Sequence, residues 1–461
     1  MFRTSPHDAA LFTLLPMNEA AEGIVRDPAN SHLATSLRLS GDTTNYTIGF
    51  DIGPHVRPQS AEVLATIGRA GDIHVPDPDI SREHCSFQRH RQSREVMFYD
   101  MSSNKNSSLI GSDLQRFNPG YAHRRVLLDW ASNTQLAFGG PDGRRYMFRI
   151  LWHTPVRDIV ENERAGDPRQ ARTLLHEPSM RPPSSLATLV QPHPNRYRYI
   201  RRARIGRGSF GKVFLVALVD SGEHVAMKVV RLPDQTGDGR AAARVHMEIE
   251  ALAHSSHEHI VRYRWSQVYG QNVEIFMDLK MGTLHNVISN GVFEDERQVD
   301  LFMHQTLRAL DYLASQEVIH RDIKPDNILY SIDERGRYHY QIADFGLAKL
   351  IPHARSYVGT YEYMAPEMNQ RGQPQTSKVD IWSLFATLAF ATNAAGFRDK
   401  LHSRTLNPDV DIAAAAEEPS LSRFKDMASR NPAYRPTARE LLDRLDRLYA
   451  EAGQVMPWGL M

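Results

Sequence analysis

Apolar and polar positions alternate in short bursts between Ser36 and Leu151, the period of half-buried strands. The pattern predicts strands over 36–39, 45–50, 63–67, 85–88, 96–99, 125–128, 134–138 and 145–151. Turn residues separate them, among them Gly41-Asp42, Gly71-Asp72 and the glycines of 139–143. Short strands at this spacing predict an all-β sandwich or barrel. Ahead of them, 1–30 shows few periodic positions and reads as a poorly determined leader. After them, 153–196 carries Pro155, Pro168, Pro178, Pro182, Pro183, Pro192 and Pro194 with mixed charge. That stretch reads as a proline-rich linker with one short helix over 169–176.

The pattern changes again at 197. Strand-like runs at 197–204, 213–219, 225–228 and 273–279 precede a long helix-period segment over 299–316, and an amphipathic helix is predicted over 438–450. A further helix is expected over 240–254, after the break at Gly237-Asp238-Gly239. The organisation is therefore a leader (1–30), a β domain (31–152), a linker (153–196), a mixed domain (197–450) and a tail (451–461).

Chemistry concentrates in the mixed domain. His320-Arg321-Asp322-Ile323-Lys324-Pro325-Asp326-Asn327 is followed by Asp344-Phe345-Gly346 and by Ala365-Pro366-Glu367. Phosphoryl transfer needs an acceptor for the hydroxyl proton, a cation near the γ-phosphate and Mg²⁺ ligands. Asp322 suits the first role, Lys324 the second, and Asn327 with Asp344 the third. Upstream, Gly206, Gly208 and Gly211 form a Gly-x-Gly-x-x-Gly that no helix follows, so a hairpin is expected rather than a dinucleotide-binding turn. Val225-Ala226-Met227-Lys228 then ends a strand on a lysine.

In these motifs the chain resembles the eukaryotic protein kinases. The resemblance implies a bilobal α+β fold that uses ATP and Mg²⁺ on protein substrates. It implies that Lys228 holds the α- and β-phosphates and pairs with Glu248, with Glu250 as the fallback partner. Adenine would lie among Ile205, Val213, Ala226, Leu329 and Met277, with Asp278 to Lys280 joining the lobes. Leu252, Tyr263, His320 and Phe345 would stack as a spine, and Glu367 would pair with a buried Arg435. Lys324 with Gly359-Thr360 favours serine/threonine acceptors. Arg321 beside Asp322 implies ordering of the following segment by a phosphate, for which Ser356 is the candidate. The lobe connector is about one residue shorter than usual, and Phe385 replaces a usual glycine.

Three fragments of the β region, Gly68-Arg69, Ser81-Arg82-Glu83-His84 and Asp100 to Asn104, resemble the forkhead-associated (FHA) domain, a β-sandwich that reads phosphothreonine through its end loops. Arginine offers a forked donor to phosphate oxygens, and serine hydroxyls complete an anion site. The resemblance assigns Arg69, Ser81, Arg82, Ser103 and Asn104 to the phosphopeptide, with Gly68 and His84 holding the loops. Lys105 stands where the family has glycine.

Composition adds bounds. Formal net charge is +1 over 461 residues, which gives no whole-chain field for nucleic acid, and no apolar run is long enough to span a bilayer. The one cysteine, Cys85, cannot form an internal disulfide, which fits an intracellular protein. The domain order resembles the checkpoint kinases that respond to DNA damage. That group implies nuclear location, docking on phosphothreonine-containing adaptors and FHA-mediated association with a second copy. The expected clusters of Ser-Gln and Thr-Gln pairs are missing from the leader, so pathway and substrate consensus stay open. The alternative is a phosphopeptide-binding scaffold with a silent kinase fold, against which stands the complete set of catalytic residues.

Overall fold

The computed structural model describes residues 3–38, 46–103, 107–110, 114–116, 124–130, 133–153, 198–208, 211–231, 256–269, 272–344, 361–369 and 375–458. It divides into two compact units. The first comprises 1–203 with 215–225, and the second 204–214 with 226–461.

Twelve strands build most of the first unit: β1 Phe12–Pro16, β2 Ala34–Arg38, β3 Tyr46–Ile52, β4 Val63–Gly68, β5 Ile73–His74, β6 Cys85–Arg89, β7 Val96–Asp100, β8 Ser107–Ile110, β9 Leu114–Arg116, β10 Arg125–Leu127, β11 Gln135–Phe138 and β12 Tyr146–Trp152. They form one sheet in the order β2-β3-β1-β12-β11-β8-β9 and a second in the order β10-β7-β6-β4-β5. Phe12, Phe87, Phe98, Phe138 and Phe148 are fully buried, and edge-to-face pairs link Phe12 to Phe87 at 5.1 Å and Phe87 to Phe98 at 5.5 Å. These contacts are the apolar core that alternation along the strands anticipates.

The expectation of a poorly determined leader does not hold. Phe12–Pro16 lies between β3 and β12, in antiparallel register with both. Helix α1 (Glu19–Arg26) follows, capped by Asn18, whose side chain accepts the Ala21 N–H. Ala21, Ile24 and Val25 enter the sandwich core. A strand covered on both faces reads as an unbroken apolar run, so Leu11 to Leu15 lacks the alternation that marks a strand. The linker expected over 153–196 and the helix over 169–176 fall, apart from His153, outside the described residues, as does the helix over 240–254.

Beyond residue 198, strands β13 Tyr199–Gly208, β14 Gly211–Leu218, β15 His224–Arg231, β16 Tyr263–Tyr269 and β17 Asn272–Asp278 form a sheet in the order β13-β14-β15-β17-β16. The second unit continues with β18 Gly282–Thr283, helix α2 Leu284–Ser289 and helix α3 Glu296–Ser315. The hairpin β19 Ile328–Ile332 and β20 Tyr338–Ile342 then precedes helix α4 Lys378–Thr392. Thirteen of the fifteen residues of α4 are buried, from Val379 to Ala391. An all-round buried helix is the centre of a large helical layer, which explains why its sequence shows no amphipathic period. Helices α5 Phe397–His402, α6 Pro408–Ala416 and α7 Ala438–Glu451 complete the unit. Helix α7 is amphipathic as expected and starts on a Thr437/Glu440 capping box. Among the described residues no helix is long and apolar enough to cross a membrane.

One buried histidine makes stability depend on pH. His304 on α3 stacks on Trp458 at 4.0 Å, and burial, with Arg308 adding to it, lowers its pKa to about 4. Asp446 Oδ1 lies 4.0 Å from its Nε2. The unfolded chain therefore takes up this proton near pH 6.5 while the folded chain resists until about 4. Stability is full above pH 6.5 and declines as pH falls through that window. Urea unfolding at pH 7 and pH 5 should differ by roughly 1 kcal/mol from this residue, and His304→Phe should remove that slope.

Candidate functional site

In the second unit, Asp322 sits on a turn whose backbone is over-determined. Arg321 has φ +66°, a region that non-glycine residues occupy only under constraint. The constraint comes from Asp380 in the first turn of α4. Its buried carboxylate accepts the backbone N–H of His320 and of Arg321, both at 2.8 Å. Burial pushes the Asp380 pKa upward, and His320 and the two N–H donors oppose that. On the other side, His320 Nε2 bonds the Ala343 carbonyl at 2.8 Å, so Nε2 carries the proton. Its Nδ1 then accepts the Asp322 N–H at 3.2 Å.

The Asp322 carboxylate is gripped by two neighbours. Lys324 Nζ donates to Oδ1 at 2.9 Å, and Asn327 Nδ2 donates to Oδ2 at 2.8 Å. Asn327 also donates to the Asp322 carbonyl at 2.7 Å. Because both contacts of Asn327 use its amide nitrogen, its side-chain oxygen is the atom left for a metal. The 325–327 turn that carries Asn327 begins on Pro325, whose fixed φ suits the first helical position. All three side chains are buried.

Asp344, the second carboxylate, itself adopts a left-handed backbone, with φ +65°. It receives Lys228 Nζ on Oδ2 at 2.7 Å. Lys228 is fully buried on β15, so this ion pair is held away from water. A buried lysine ammonium facing a carboxylate that keeps a second oxygen is the donor set for a triphosphate with its metal. Glu248, the expected partner of Lys228, lies outside the described residues. So do Phe345, Leu252 and Ser356. Of the expected spine, Tyr263 and His320 are both buried.

The residues expected to face adenine all belong to the apolar interior of the second unit. Ala226 and Met277 are buried in the core of this unit, and Ile205, Val213 and Leu329 pack against it partly exposed. Gly206 and Gly208 lie on β13 and Gly211 opens β14, the hairpin that the glycine spacing implies. At Gly211 a side chain would strike the Val229 carbonyl on β15, so β14 approaches β15 there only with glycine. Asp278 pairs with Arg264 at 2.7 Å, and burial lowers the Lys280 pKa, which Asp278 opposes.

In the first unit, the expected phosphate-reading residues share one end of the sandwich. Ser81 Oγ and Ser103 Oγ lie 3.1 Å apart, and the Ser103 N–H donates to Ser81 Oγ at 3.1 Å. Arg69 Nε donates to the Ile80 carbonyl at 2.7 Å, which fixes an otherwise exposed guanidinium. Main-chain bonds Arg69 N–H to Ser81 O and Ala70 N–H to Arg82 O zip the two loops together. Gly68 makes that possible, since a side chain there would collide with the Arg82 carbonyl. Arg82 is exposed, and buried His84 supports Ser81 by accepting its N–H on Nδ1 at 3.3 Å. Asn104 and Lys105 lie outside the described residues. Arg124, which the sequence reading did not single out, pairs with buried Asp100 at 2.8 Å and bonds the Ser102 carbonyl. It steadies the loop from behind, and an arginine at the edge of a strand carries no sequence signal for that role. Asp380 was marked in the sequence only as opening a central helix, not as pinning this turn; an acid in a helix first turn usually reads as a dipole partner.

Residues 199–445 match the model of the protein kinase domain, and 65–123 match that of the FHA domain. Among curated proteins the chain is 40% identical over 213 residues to human ribosomal protein S6 kinase alpha-2, covering 44% of this chain and 28% of that protein. It is 32% identical over 274 residues to the mitogen-activated protein kinase kinase kinase YODA of Arabidopsis thaliana, covering 56% and 30%. Over 292 residues it is 29% identical to mitogen-activated protein kinase kinase kinase mkh1 of Cytospora mali, covering 58% and 15%. The chain thus spans less than a third of the length of each of these relatives. The kinase match covers more than half of the chain, which belongs to the protein kinase family and carries an FHA domain ahead of its kinase domain.

Proposed function

We propose that the protein is an ATP-dependent serine/threonine protein kinase whose FHA domain recognises phosphothreonine peptides. The observation that carries the first part is the pair of gripped carboxylates, Asp322 held by Lys324 and Asn327, and Asp344 held by Lys228. Asp322 accepts the proton of the incoming hydroxyl, Lys324 steadies the γ-phosphate, and Lys228 anchors the phosphates behind it. Asn327 and Asp344 would hold Mg²⁺, which would supply neutralisation of phosphate charge. The names of the relatives, a ribosomal protein S6 kinase and a mitogen-activated protein kinase kinase kinase, support the kinase reading. Against the silent-scaffold alternative stands the presence of Asp322, Lys324, Asn327, Asp344 and Lys228 together. Incubation of the purified chain with MgATP and dephosphorylated casein tests it; phosphate should appear on serine and threonine and not on tyrosine. Transfer undetectable above a no-enzyme control would sink the catalytic reading.

The Ser81–Ser103 pair beside Arg69 supports the second part. A phosphate there gains a forked guanidinium and two hydroxyls. Arg69→Ala should weaken a phosphothreonine peptide by about 10- to 100-fold, the worth of a charge-assisted contact of about 1.5–3 kcal/mol. Titration of a labelled peptide library checks this, and unchanged affinity would remove Arg69 from the site. Phosphorylation at Ser356, self-association through the FHA domain, and nuclear checkpoint signalling belong to the same proposal by resemblance. Arg321 Nε, buried without a hydrogen-bond partner, favours the first of these, since a phosphate would satisfy it.

A further inference from the structure

Arg69 lies on the turn between β4 and β5, and both flanks of that turn are held. Asp72 closes it. One oxygen of its carboxylate accepts the Thr66 N–H at 2.8 Å and the Thr66 hydroxyl at 2.9 Å, and the Asp72 N–H returns to Thr66 Oγ1 at 3.1 Å. Arg57 Nε reaches both oxygens of Asp72, at 2.9 and 2.8 Å. Within the turn, Arg69 is pinned at three atoms. Its N–H donates to the Ser81 carbonyl at 3.1 Å and its Nε to the Ile80 carbonyl at 2.7 Å, while its own carbonyl lies 3.0 Å from His74 Nδ1. A carbonyl only accepts, so His74 carries a proton on Nδ1 and donates it. Two of these bonds reach the loop of Ser81; the third reaches β5.

Strand β5 is two residues long and lies at the end of its sheet, parallel to β4 with His74 opposite Gly68. The outer edge of such a strand offers main-chain groups that need partners. At His74 the partner is a side chain from the leader. Asn30, fully buried in the turn after α1, accepts the His74 N–H on Oδ1 at 2.7 Å and donates Nδ2 to the His74 carbonyl at 2.8 Å. The same Nδ2 donates to the Ile24 carbonyl in α1 at 3.0 Å. One carboxamide thus imitates a neighbouring strand and ties β5 to the helix. The N–H and the carbonyl of His74 admit only one orientation of that amide. Asn30 lies ahead of the segment that matches the FHA model, which begins at 65.

A continuous chain of bonds therefore runs from α1 through Asn30 and His74 to Arg69, all of it inside the first unit. We propose that Asn30 and His74 are positioning residues for the phosphate-reading Arg69: the leader fixes β5, and the His74 ring fixes the main chain from which the guanidinium is presented. A guanidinium held in place before its ligand arrives loses less freedom on binding than one that must be ordered. Neither residue has to touch the phosphate. The proposal rests on the phosphopeptide reading above and is independent of the kinase reading.

The test uses the full chain and a fluorescent peptide library with one fixed phosphothreonine, with the unphosphorylated library as control. His74→Ala should weaken binding of the phosphorylated library about 3- to 10-fold, the worth of one hydrogen bond. Its melting temperature should stay near that of the wild type. His74→Asn, whose Nδ2 stands where the imidazole Nδ1 stood, should recover most of the loss. A merely structural residue would move the melting temperature and show no such rescue. In an Arg69→Ala background, His74→Ala should cost less than about twofold, because it acts through that arginine. Folded Asn30→Ala should lose at least as much affinity as His74→Ala. Wild-type affinity in either folded single variant overturns the proposal, as does an equal loss from His74→Ala with and without Arg69. If His74→Ala does not fold, His74→Phe, which keeps a ring and loses the donor, takes its place with the same expectations. A wild-type chain that binds the two libraries alike overturns the phosphopeptide reading instead, and the proposal with it.

Discussion

Replacing Asp322 with asparagine should slow transfer to a protein hydroxyl by about 10²- to 10⁴-fold, the range that a positioned general base supplies, while MgATP affinity changes little. The carboxylate has a fixed orientation, with Lys324 Nζ at 2.9 Å from both oxygens and Asn327 Nδ2 on Oδ2 at 2.8 Å. Asparagine keeps the shape and loses the proton-accepting charge. Its amide nitrogen must also face one of two donors, so the grip itself turns repulsive on one side. Lys228→Met should give the complementary result, a large loss with weaker nucleotide binding, because it removes the buried cation from Asp344 and from the phosphates. Steady-state kinetics with equilibrium binding of a fluorescent ATP analogue separates the two. Wild-type rates in Asp322→Asn would remove that residue from the chemistry.

The two carboxylates were legible in the sequence because phosphoryl transfer leaves so few solutions. A proton acceptor, a cation and two metal ligands must fall within a short turn and the strand after it, and the order of residues from His320 to Asp344 meets that demand. The strands were legible for a different reason: one face is buried and the other wet, so alternation exposes them. What escaped the sequence obeys a third logic. Phe12–Pro16 is covered on both faces and shows no alternation, and helix α1 is only eight residues long. Asp380 is remote in sequence from the turn it pins, by 60 residues from His320. Asn30 and His74 lie 44 residues apart, and each alone reads as an ordinary polar residue. Long-range pairing of ordinary polar residues leaves no local mark, whereas chemistry confined to one loop does.

The Glu367–Arg435 pair is a case where the sequence motif and the structure agree and the energetic consequence is large. Arg435 is fully buried and donates to Glu367 Oε1 at 2.7 Å and to Oε2 at 3.2 Å. The same guanidinium bonds the Lys378 carbonyl at 2.7 Å and the Ser429 carbonyl at 2.9 Å, and it lies 5.2 Å from the Trp382 ring centre. One planar cation thus satisfies a carboxylate and two main-chain acceptors around the start of α4. Arg435→Met should lower the stability of the second unit by about 3–5 kcal/mol, because it strands a buried carboxylate and two carbonyls. Arg435→Lys should recover only part of that, since an ammonium cannot span the three acceptors at once. Glu367→Gln with Arg435→Met should be less damaging than Arg435→Met alone, which reverses the usual expectation that two changes cost more than one. Denaturant unfolding followed by tryptophan fluorescence measures all three, with the second-unit transition read separately from the sandwich. If the double variant proved the least stable of the set, the stranded charge would not be the source of the loss, and packing of Arg435 against Trp382 would have to carry it.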